Sequence, residues 1–479
     1  MPEYDSRRAA RHFLGLLGRS AWKSLLLVLA SLAVAGLIAF FPEHAGLNLA
    51  ARWSLFILLF CAGLWITEAM PAFAVSLLAM GLQIAILGRP GGVFATDAHD
   101  WERFSAPWGS PLIWLFFGGF VLAIAAQRTG LDYWMARRAL KSFGRRPALV
   151  VLGVMLTTAV LSMFISNTAT ATLMVAMLGP LFLKREADDS VAKAMLLGVA
   201  LGANIGGMGT IIGSPPNAIA AGALDEVAAV DFFQWMLYAV PPAALLLVLG
   251  WSFLLLRYLG RNGFVPREDL TLSIEQPPNV PQLKQLIVVG TFATTVLLWL
   301  TSTWHGTPTT VVSFLPTCVL TATGILGPDD LRDIPWKVLL LIAGGLSLGV
   351  GVTDTGLADW ITGKLPLDGV SPLIVMLMFC YLTVVLSNLM SNTAAANMII
   401  PLALALAVTS QSDPRMVIPV ALCASAAMCL PISTPPNAII CSTGRLRTVD
   451  LLWLGILLGL LAPLVVLLWA RCTVWLAWV

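Results

Sequence analysis

A short polar motif occurs twice in this chain, each time inside apolar sequence. The first copy comprises Ser162, Ser166-Asn167-Thr168-Ala169 and Ser214-Pro215-Pro216-Asn217-Ala218-Ile219. The second comprises Ser387, Ser391-Asn392-Thr393-Ala394 and Thr434-Pro435-Pro436-Asn437-Ala438-Ile439. In hydrocarbon, exposed backbone and helix-breaking Pro-Pro are tolerated only where they are buried in protein or line a wet cavity. Each copy therefore predicts a place where membrane helices break, and such paired breaks are typical of a transporter site.

The composition limits the class of protein further. Charged residues make up 11% of the chain and hydrophobic residues 58%, and the mean hydropathy is +0.87. These values exclude an ordinary soluble globular protein and predict an all-α polytopic membrane protein. The seven cysteines form no C-x-x-C pair, and the net charge of +3 is small. We therefore expect no redox motif and no nucleic-acid partner.

Apolar windows predict about eleven transmembrane helices. They lie near residues 24–41, 53–69, 72–88, 111–134, 191–222, 237–257, 285–302, 309–326, 337–354, 416–443 and 449–475. Two further apolar stretches, 147–183 and 371–409, carry Ser-Asn-Thr near the middle, where a spanning helix is normally most uniformly apolar. We predict that both are re-entrant helical hairpins.

The basic residues predict the orientation. If 147–183 is a hairpin, the Lys and Arg clusters of the loops all fall on one face, which the positive-inside rule assigns to the cytoplasm. The N-terminus is then cytoplasmic and the C-terminus external, in a bacterial-type inner membrane. The first hairpin enters from the cytoplasm and the second from outside.

The same reasoning divides the chain into two halves. Residues 1–52 hold the N-terminus and first helix, 53–259 form repeat 1, 260–284 form a Pro-rich charged cytoplasmic linker, and 285–479 form repeat 2. The broken helices are 191–222 and 416–443. Gly118-Gly119 with Thr129-Gly130 in repeat 1 corresponds to Gly344-Gly345 with Thr355-Gly356 in repeat 2. An odd number of crossings separates corresponding elements, so the repeats are inverted, as alternating access requires.

The tips of such hairpins offer two kinds of binding chemistry. The second helix of a hairpin starts with unpaired N–H groups and a partial positive charge, which favours an anion. Asn, Ser and Thr side chains add donors there. The carbonyls that end the first helix, with the oxygens of Ser162, Ser166 and Asn167, can bind a small hard cation such as Na⁺. Ser162 and Ser166, like Ser387 and Ser391, are spaced i,i+4 on one helical face.

Several segments carry a family resemblance. Trp65 through Pro71, Trp114 through Phe120, both Ser-Asn-Thr motifs, and Ala424-Ser425 through Ala438 resemble the divalent anion/sodium symporters, within the ion transporter superfamily of dicarboxylate and citrate carriers. The resemblance covers nearly the whole chain after the first ~50 residues. It implies a homodimer in which a transport domain slides against a scaffold in an elevator-type motion.

The resemblance also implies the ligand sets. The implied substrate residues are Ser166, Asn167, Thr168, Ser214, Pro215, Ser391, Asn392, Thr393, Thr434 and Pro435. The first implied sodium site is formed by Ser162, Ser166, Asn167 and Gly213, and the second by Ser387, Met390, Ser391, Asn392 and Ser433. Sodium is the only expected ion, as a transported species, and no catalytic residue is expected.

These observations predict sodium-coupled symport of a four-carbon dicarboxylate such as succinate, malate or fumarate. The alternatives within transport are sodium-independent exchange of a dicarboxylate or citrate, and sodium-coupled sulfate uptake. An intramembrane enzyme would need a nucleophile with a base, or a metal cluster, and the apolar segments supply neither.

Four residues outside the motif receive structural interpretations. Arg128 and Asp132 are spaced i,i+4 and are expected to pair. Glu68 is expected to cap or pair near the end of the second helix. Trp235 lies at a segment end and is expected to anchor at the membrane interface.

Overall fold

The computed structural model describes residues 3–41, 44–183, 185–186, 188–265, 281–364 and 370–475. Within these ranges the regular structure is helical and contains no strand, which confirms the all-α prediction. Residues 266–280 of the predicted linker lie outside the described ranges.

Eleven helices precede the linker. They are α1 Glu3–Phe40, α2 Leu49–Thr67, α3 Ala72–Leu82, α4 Glu102–Ser105, α5 Pro111–Arg128, α6 Leu131–Lys141, α7 Pro147–Ser162, α8 Asn167–Phe182, α9 Ser190–Gly206, α10 Pro215–Ala228 and α11 Phe232–Leu254. Helices α3 and α11 continue as π-helical turns over Gln83–Gly88 and Leu255–Leu259.

Eleven further described helices begin at Gln282, just inside the C-terminal end of the predicted linker. They are α12 Gln282–Leu300, α13 Ser302–His305, α14 Thr309–Val312, α15 Phe314–Ala322, α16 Trp336–Asp354, α17 Leu357–Lys364, α18 Pro372–Leu389, α19 Asn392–Thr409, α20 Ile418–Ala424, α21 Pro435–Ser442 and α22 Thr448–Trp475.

Ten helical segments in the described part of the chain are long and apolar enough to cross a membrane. This confirms a polytopic membrane protein. Three predicted spans, 72–88, 309–326 and 416–443, contain shorter apolar helices instead. The segments 147–183 and 371–409 each hold two helices with a break at Ser-Asn-Thr, as predicted. Entry and exit of each hairpin on one membrane face stays a prediction.

Local sequence explains where the helices break. Ser166 and Ser391 are the N-cap residues of α8 and α19, and each side chain accepts a hydrogen bond from the backbone N–H three residues later. Pro215 and Pro435 open α10 and α21, where a missing N–H is tolerated. The residues before these prolines, Ser214 and Thr434, are extended.

The chain folds into two compact units. One comprises residues 1–107 and 343–365, and the other comprises 108–342 and 366–479. The second unit contains both hairpins and both broken helices. Within it α8 packs against α21 and α10 packs against α19, so each repeat contributes helices to the surroundings of the other repeat's motif.

The Gly-Gly and Thr-Gly motifs form two matched structures, one in each unit. A Cβ on Gly118 of α5 would lie 2.7 Å from the Cβ of Ser313, and a Cβ on Gly344 of α16 would lie 2.5 Å from the Cβ of Ser76. Each helix therefore approaches its neighbour too closely for any side chain. Both helices end at the Thr-Gly pair, where Gly130 and Gly356 adopt the left-handed backbone with φ of 63° and 77°.

We expect Gly344→Ala and Gly118→Ala to destabilise the protein by about 1–3 kcal/mol each, since real Cβ atoms do not approach other atoms so closely. The measurement is the melting temperature of the detergent-purified protein. Gly290→Ala, in α12, is the matched control because an added Cβ there meets nothing within 4 Å. Equal melting temperatures for all three variants would contradict the close packing.

Two structural interpretations from the sequence are wrong. Arg128 pairs with Asp330 and Asp333, both at 2.9 Å, and Asp132 instead accepts a hydrogen bond from the Tyr133 backbone N–H. Trp235 is fully buried, with its indole N–H donating to the Met208 carbonyl at 3.1 Å. Long-range partners override local spacing in both cases.

The interpretation of Glu68 is confirmed. It is the C-cap residue of α2, with a left-handed backbone at φ 51° and ψ 28°. A residue in this conformation ends a helix.

Candidate functional site

The first hairpin tip, residues 162–167, is bound to the end of α9. Ser162 is fully buried, and its hydroxyl lies 2.7 Å from the Ala203 carbonyl and 2.7 Å from the Asn167 side-chain Oδ1. The Thr210 hydroxyl donates to the Met163 carbonyl. The tip is therefore held by groups just before and within the first break, residues 207–214.

Oxygen atoms converge around the Asn167 amide. The amide Oδ1 position lies 2.7 Å from Ser162 Oγ and 3.2 Å from each of the Ala203 and Gly213 carbonyl oxygens. The surrounding acceptors place the amide nitrogen at this position, where its two N–H groups donate to the converging Ser162, Ala203 and Gly213 oxygens. Such a cluster suits a small hard cation. A cation at this point would need the Asn167 amide to present its oxygen to the other three.

The second tip, residues 387–392, has buried oxygen atoms that lack partners. Ser387 Oγ and Asn392 Oδ1 have no hydrogen-bond partner among the described residues, and Ser387 is fully buried. Met390 is extended and ends α18. A buried acceptor without a donor is unfavourable unless a ligand satisfies it. These atoms fit the predicted second cation site.

In each break, one Asn side chain clamps the unwound backbone. The sequence analysis did not include either Asn among the site residues. Asn217 donates to the carbonyls of Thr210 at 2.8 Å and Gly207 at 2.9 Å, and more weakly to Met208 at 3.4 Å. Asn437 donates to the carbonyls of Leu430 at 2.9 Å and Met428 at 3.2 Å. Both Asn side chains are fully buried. The Asn of each Pro-Pro-Asn therefore stabilises the unwound backbone that precedes it.

A third buried Asn joins the two repeats. Asn204 of α9 donates to Thr434 Oγ1 at 3.0 Å and to Asn437 Oδ1 at 3.3 Å. The preceding residue, Ala203, accepts from Ser162 of the first tip. Two consecutive residues of α9 therefore connect the first tip to the second break, residues 425–434. Asn204 stands outside both repeated motifs, so nothing in the sequence pattern indicated this role.

The predicted substrate residues divide by exposure. Ser166, Thr168, Ser391 and Pro435 are exposed, and Asn167, Asn392 and Pro215 are half-buried. Ser214, Thr393 and Thr434 are buried. The exposed and half-buried groups at the tips are positioned to meet a ligand, whereas the Thr434 hydroxyl is engaged by Asn204 and the Asn437 N–H.

The surroundings of the tips are polar but uncharged. In the described residues, the side chains that hydrogen-bond the tips and breaks are Ser, Thr and Asn, with the Trp235 indole. Arg445 contacts the first hairpin at its other end, where its guanidinium binds the carbonyls of Phe182 and Glu186. A cation there stabilises the C-terminal end of α8. Among the described residues, no basic side chain is hydrogen-bonded to the tip itself.

Comparisons with known proteins identify the family of the chain. The sequence profile described as "Citrate transporter" matches residues 62–415 and 303–478. The chain belongs to the citrate transporter family. The sodium-dependent dicarboxylate transporter SdcS of Staphylococcus saprophyticus is 32% identical over 474 residues, covering 91% of this chain and 88% of its own. SdcS of Staphylococcus aureus (strain bovine RF122) is 31% identical over 453 residues, covering 86% and 84%.

Solved structures of transporters share the fold. The Alcanivorax borkumensis YdaH transporter superposes with a TM-score of 0.54 at 14% identity, covering 83% of this chain and 98% of its own. Neisseria gonorrhoeae MtrF, from a class of antimetabolite efflux pumps, gives 0.51 at 13% identity, covering 86% and 94%. The resemblance to divalent anion/sodium symporters is confirmed. As a member of the citrate transporter family, this protein is a membrane transporter and not an enzyme.

Proposed function

We propose that this protein couples the inward movement of sodium to the uptake of a four-carbon dicarboxylate such as succinate, malate or fumarate. The observation that carries the proposal is the convergence of oxygens at the first hairpin tip and the unpartnered buried oxygens at the second, each beside a helix N-terminus. The oxygens suit cations, the N-termini suit carboxylates, and no basic side chain is hydrogen-bonded to the tips within the described ranges. The relatives named sodium-dependent dicarboxylate transporters support the same pairing.

Energetics favour coupling to sodium. Importing a dianion against an inside-negative potential costs ~2.3 kcal/mol per charge per 100 mV, and more than two accompanying Na⁺ reverse the sign. Cations bound at the tips also neutralise a substrate that meets no Lys or Arg there. Sodium and dicarboxylate are therefore expected to raise each other's affinity.

The proposed cycle is an elevator-type movement of the part that carries both hairpins, within a homodimer. In this proposal the N-terminus is cytoplasmic, the C-terminus is external, and the protein lies in the inner (plasma) membrane. Both hairpins and both broken helices lie in one compact unit, which supports their movement as a single body during transport.

The test is uptake of labelled succinate into proteoliposomes with an imposed sodium gradient. We expect uptake to fall to the level of empty liposomes when choline replaces sodium. Undiminished uptake in choline, accelerated by succinate inside the vesicle, would overturn symport and establish exchange. Competition by citrate and by sulfate, measured in the same vesicles, separates a dicarboxylate carrier from a citrate carrier and from a sulfate carrier.

A further inference from the structure

The two tips are attached to their breaks by different chemistry. Asn388 follows Ser387 in the second tip, and the corresponding residue in the first tip is Met163, which follows Ser162. The Met163 thioether lies over Gly209, where an added Cβ would come within 2.8 Å of its Cε. At this position the side chain that the first tip offers to its break is therefore apolar, and the polar contact is the hydrogen bond from the Thr210 hydroxyl to the Met163 backbone carbonyl.

Asn388 makes a polar connection at the same place. Its Oδ1 accepts hydrogen bonds from the Cys429 N–H at 2.9 Å and from the Ser433 hydroxyl at 3.1 Å. Cys429 corresponds to Gly209. The residues on either side of each accept hydrogen bonds, through their backbone carbonyls, from the Asn of the following Pro-Pro-Asn. Ser433 corresponds to Gly213, since they precede Thr434 and Ser214. The second repeat thus has a hydroxyl and an amide where the first has glycine and methionine.

Asn388 and Ser433 hold groups that are predicted to bind the second sodium. Ser433 Oγ also accepts from the Leu430 N–H at 3.1 Å, so the hydroxyl fixes the turn that carries the Ser433 carbonyl. Asn388 lies between Ser387, whose Oγ lacks a partner among the described residues, and Met390. Residues on both sides of Asn388, and Ser433 across from it, belong to the predicted second sodium site.

The side chain of Asn388 has no free acceptor with which to bind the ion itself. Its Oδ1 accepts two hydrogen bonds, and its Nδ2 donates to the Val384 carbonyl at 2.9 Å. An amide oxygen offers two lone pairs, and both are used. Its influence on a cation is therefore exerted through the residues that it holds.

We propose that Asn388, with Ser433, is a positioning residue that makes the second sodium site a preorganised site without a counterpart in the first repeat. The inference rests on the proposed sodium coupling. Partners that orient ligand groups typically change metal affinity by roughly 10–100-fold when they are removed. Loss of Asn388 weakens one of two sodium sites and leaves the other intact.

The test is the sodium dependence of succinate uptake by Asn388→Ala in proteoliposomes. We expect the sodium concentration for half-maximal uptake to rise roughly tenfold or more, with a lower Hill coefficient and a maximal rate close to wild type at saturating sodium. Met163→Ala is the matched control in the first repeat, and its half-maximal sodium concentration is expected to stay within about twofold of wild type, since Met163 supplies no hydrogen bond to a ligand group.

Two further variants separate positioning from packing. Asn388→Asp keeps an acceptor oxygen for Cys429 and Ser433, loses the N–H donor to the Val384 carbonyl and adds negative charge near the cation. Its half-maximal sodium concentration is expected to be equal to or lower than that of wild type. Ser433→Ala removes only the hydroxyl and is expected to resemble Asn388→Ala, with little added effect in the double variant. If Asn388→Ala does not fold, these two variants decide the question.

The outcomes are distinct. A sodium-dependent wild type with unaltered sodium dependence in Asn388→Ala and Ser433→Ala overturns the positioning role alone. A reduced maximal rate at unchanged half-maximal sodium also overturns it and assigns Asn388 to packing. Wild-type uptake that ignores sodium overturns the proposed function, and with it this inference.

Discussion

Asn167→Ala and Asn392→Ala are each expected to abolish sodium-driven uptake while leaving the protein in the membrane. Each substitution removes an amide at a hairpin tip that faces converging or unpartnered oxygens. Losing a charge-assisted contact costs about 1.5–3 kcal/mol. Because both sodium and carboxylate contacts are lost, the expected loss is roughly a hundredfold or more in uptake at limiting ligand. The measurement is initial uptake rate, normalised to the amount of protein reconstituted.

Thr172→Ala serves as the control for Asn167→Ala. Thr172 lies on the same helix, is exposed, and makes only a local hydrogen bond to the Thr168 carbonyl at 2.9 Å. Its uptake is expected to stay near wild type. Normal uptake by either Asn variant would remove that residue from the proposed ligands.

Asn217→Ala and Asn437→Ala are expected to cause the largest losses of stability. Each variant leaves at least two buried carbonyls of an unwound segment without their donor. An unsatisfied buried polar group costs about 1–3 kcal/mol, so each variant is expected to lose about 2–6 kcal/mol. The melting temperature of the purified protein, read from intrinsic tryptophan fluorescence, measures this effect.

Asn397→Ala is the comparison for these two variants. Asn397 is equally buried, but its amide donates a single long hydrogen bond of 3.3 Å, to the Leu341 carbonyl. Its loss of stability is expected to be clearly smaller. Should Asn217→Ala melt at the same temperature as Asn397→Ala, the clamp contributes nothing beyond an ordinary buried amide.

The clamps also connect stability with binding. The carbonyl of Gly213 joins the oxygen cluster at the first tip, and the turn that precedes it is held by Asn217 through Thr210. A variant that loosens this turn is expected to lose part of its sodium response as well as its stability. Sodium added during melting would then protect Asn217→Ala less than it protects the wild type.

Much of the site was predictable because its signals are local. A Ser before a helix caps it, a Pro opens one, and a polar triplet in an apolar stretch interrupts it. The breaks at Ser166, Ser391, Pro215 and Pro435 follow from such rules and appear in the structure at the predicted positions. The duplication also predicts an inverted arrangement of the two halves, and this arrangement stays a prediction.

Other parts were not predictable because their partners are remote in sequence. Asn204 and Asn437 are 233 positions apart, and Arg128 and Asp333 are 205 apart. Spacing rules for a single helix favoured Asp132 as the partner of Arg128, and the packing of α5 near the 328–333 turn decided otherwise. Trp235 was expected at the membrane interface, but the unwound carbonyl of Met208 gave its indole a buried partner.

The sequence by itself determined an all-helical membrane protein with two matched interruptions, because helix-breaking residues and hydrophobic runs act over a few neighbouring positions. Only the tertiary structure decided which polar atoms at the interruptions have hydrogen-bond partners and which do not. The amide nitrogens of Asn217, Asn437 and Asn204 bind carbonyls and side chains brought close by folding. The side-chain oxygens of Asn204, Asn217, Ser387 and Asn392 have no partner among the described residues. That distinction depends on distances between segments far apart in the chain, and a linear pattern does not contain them.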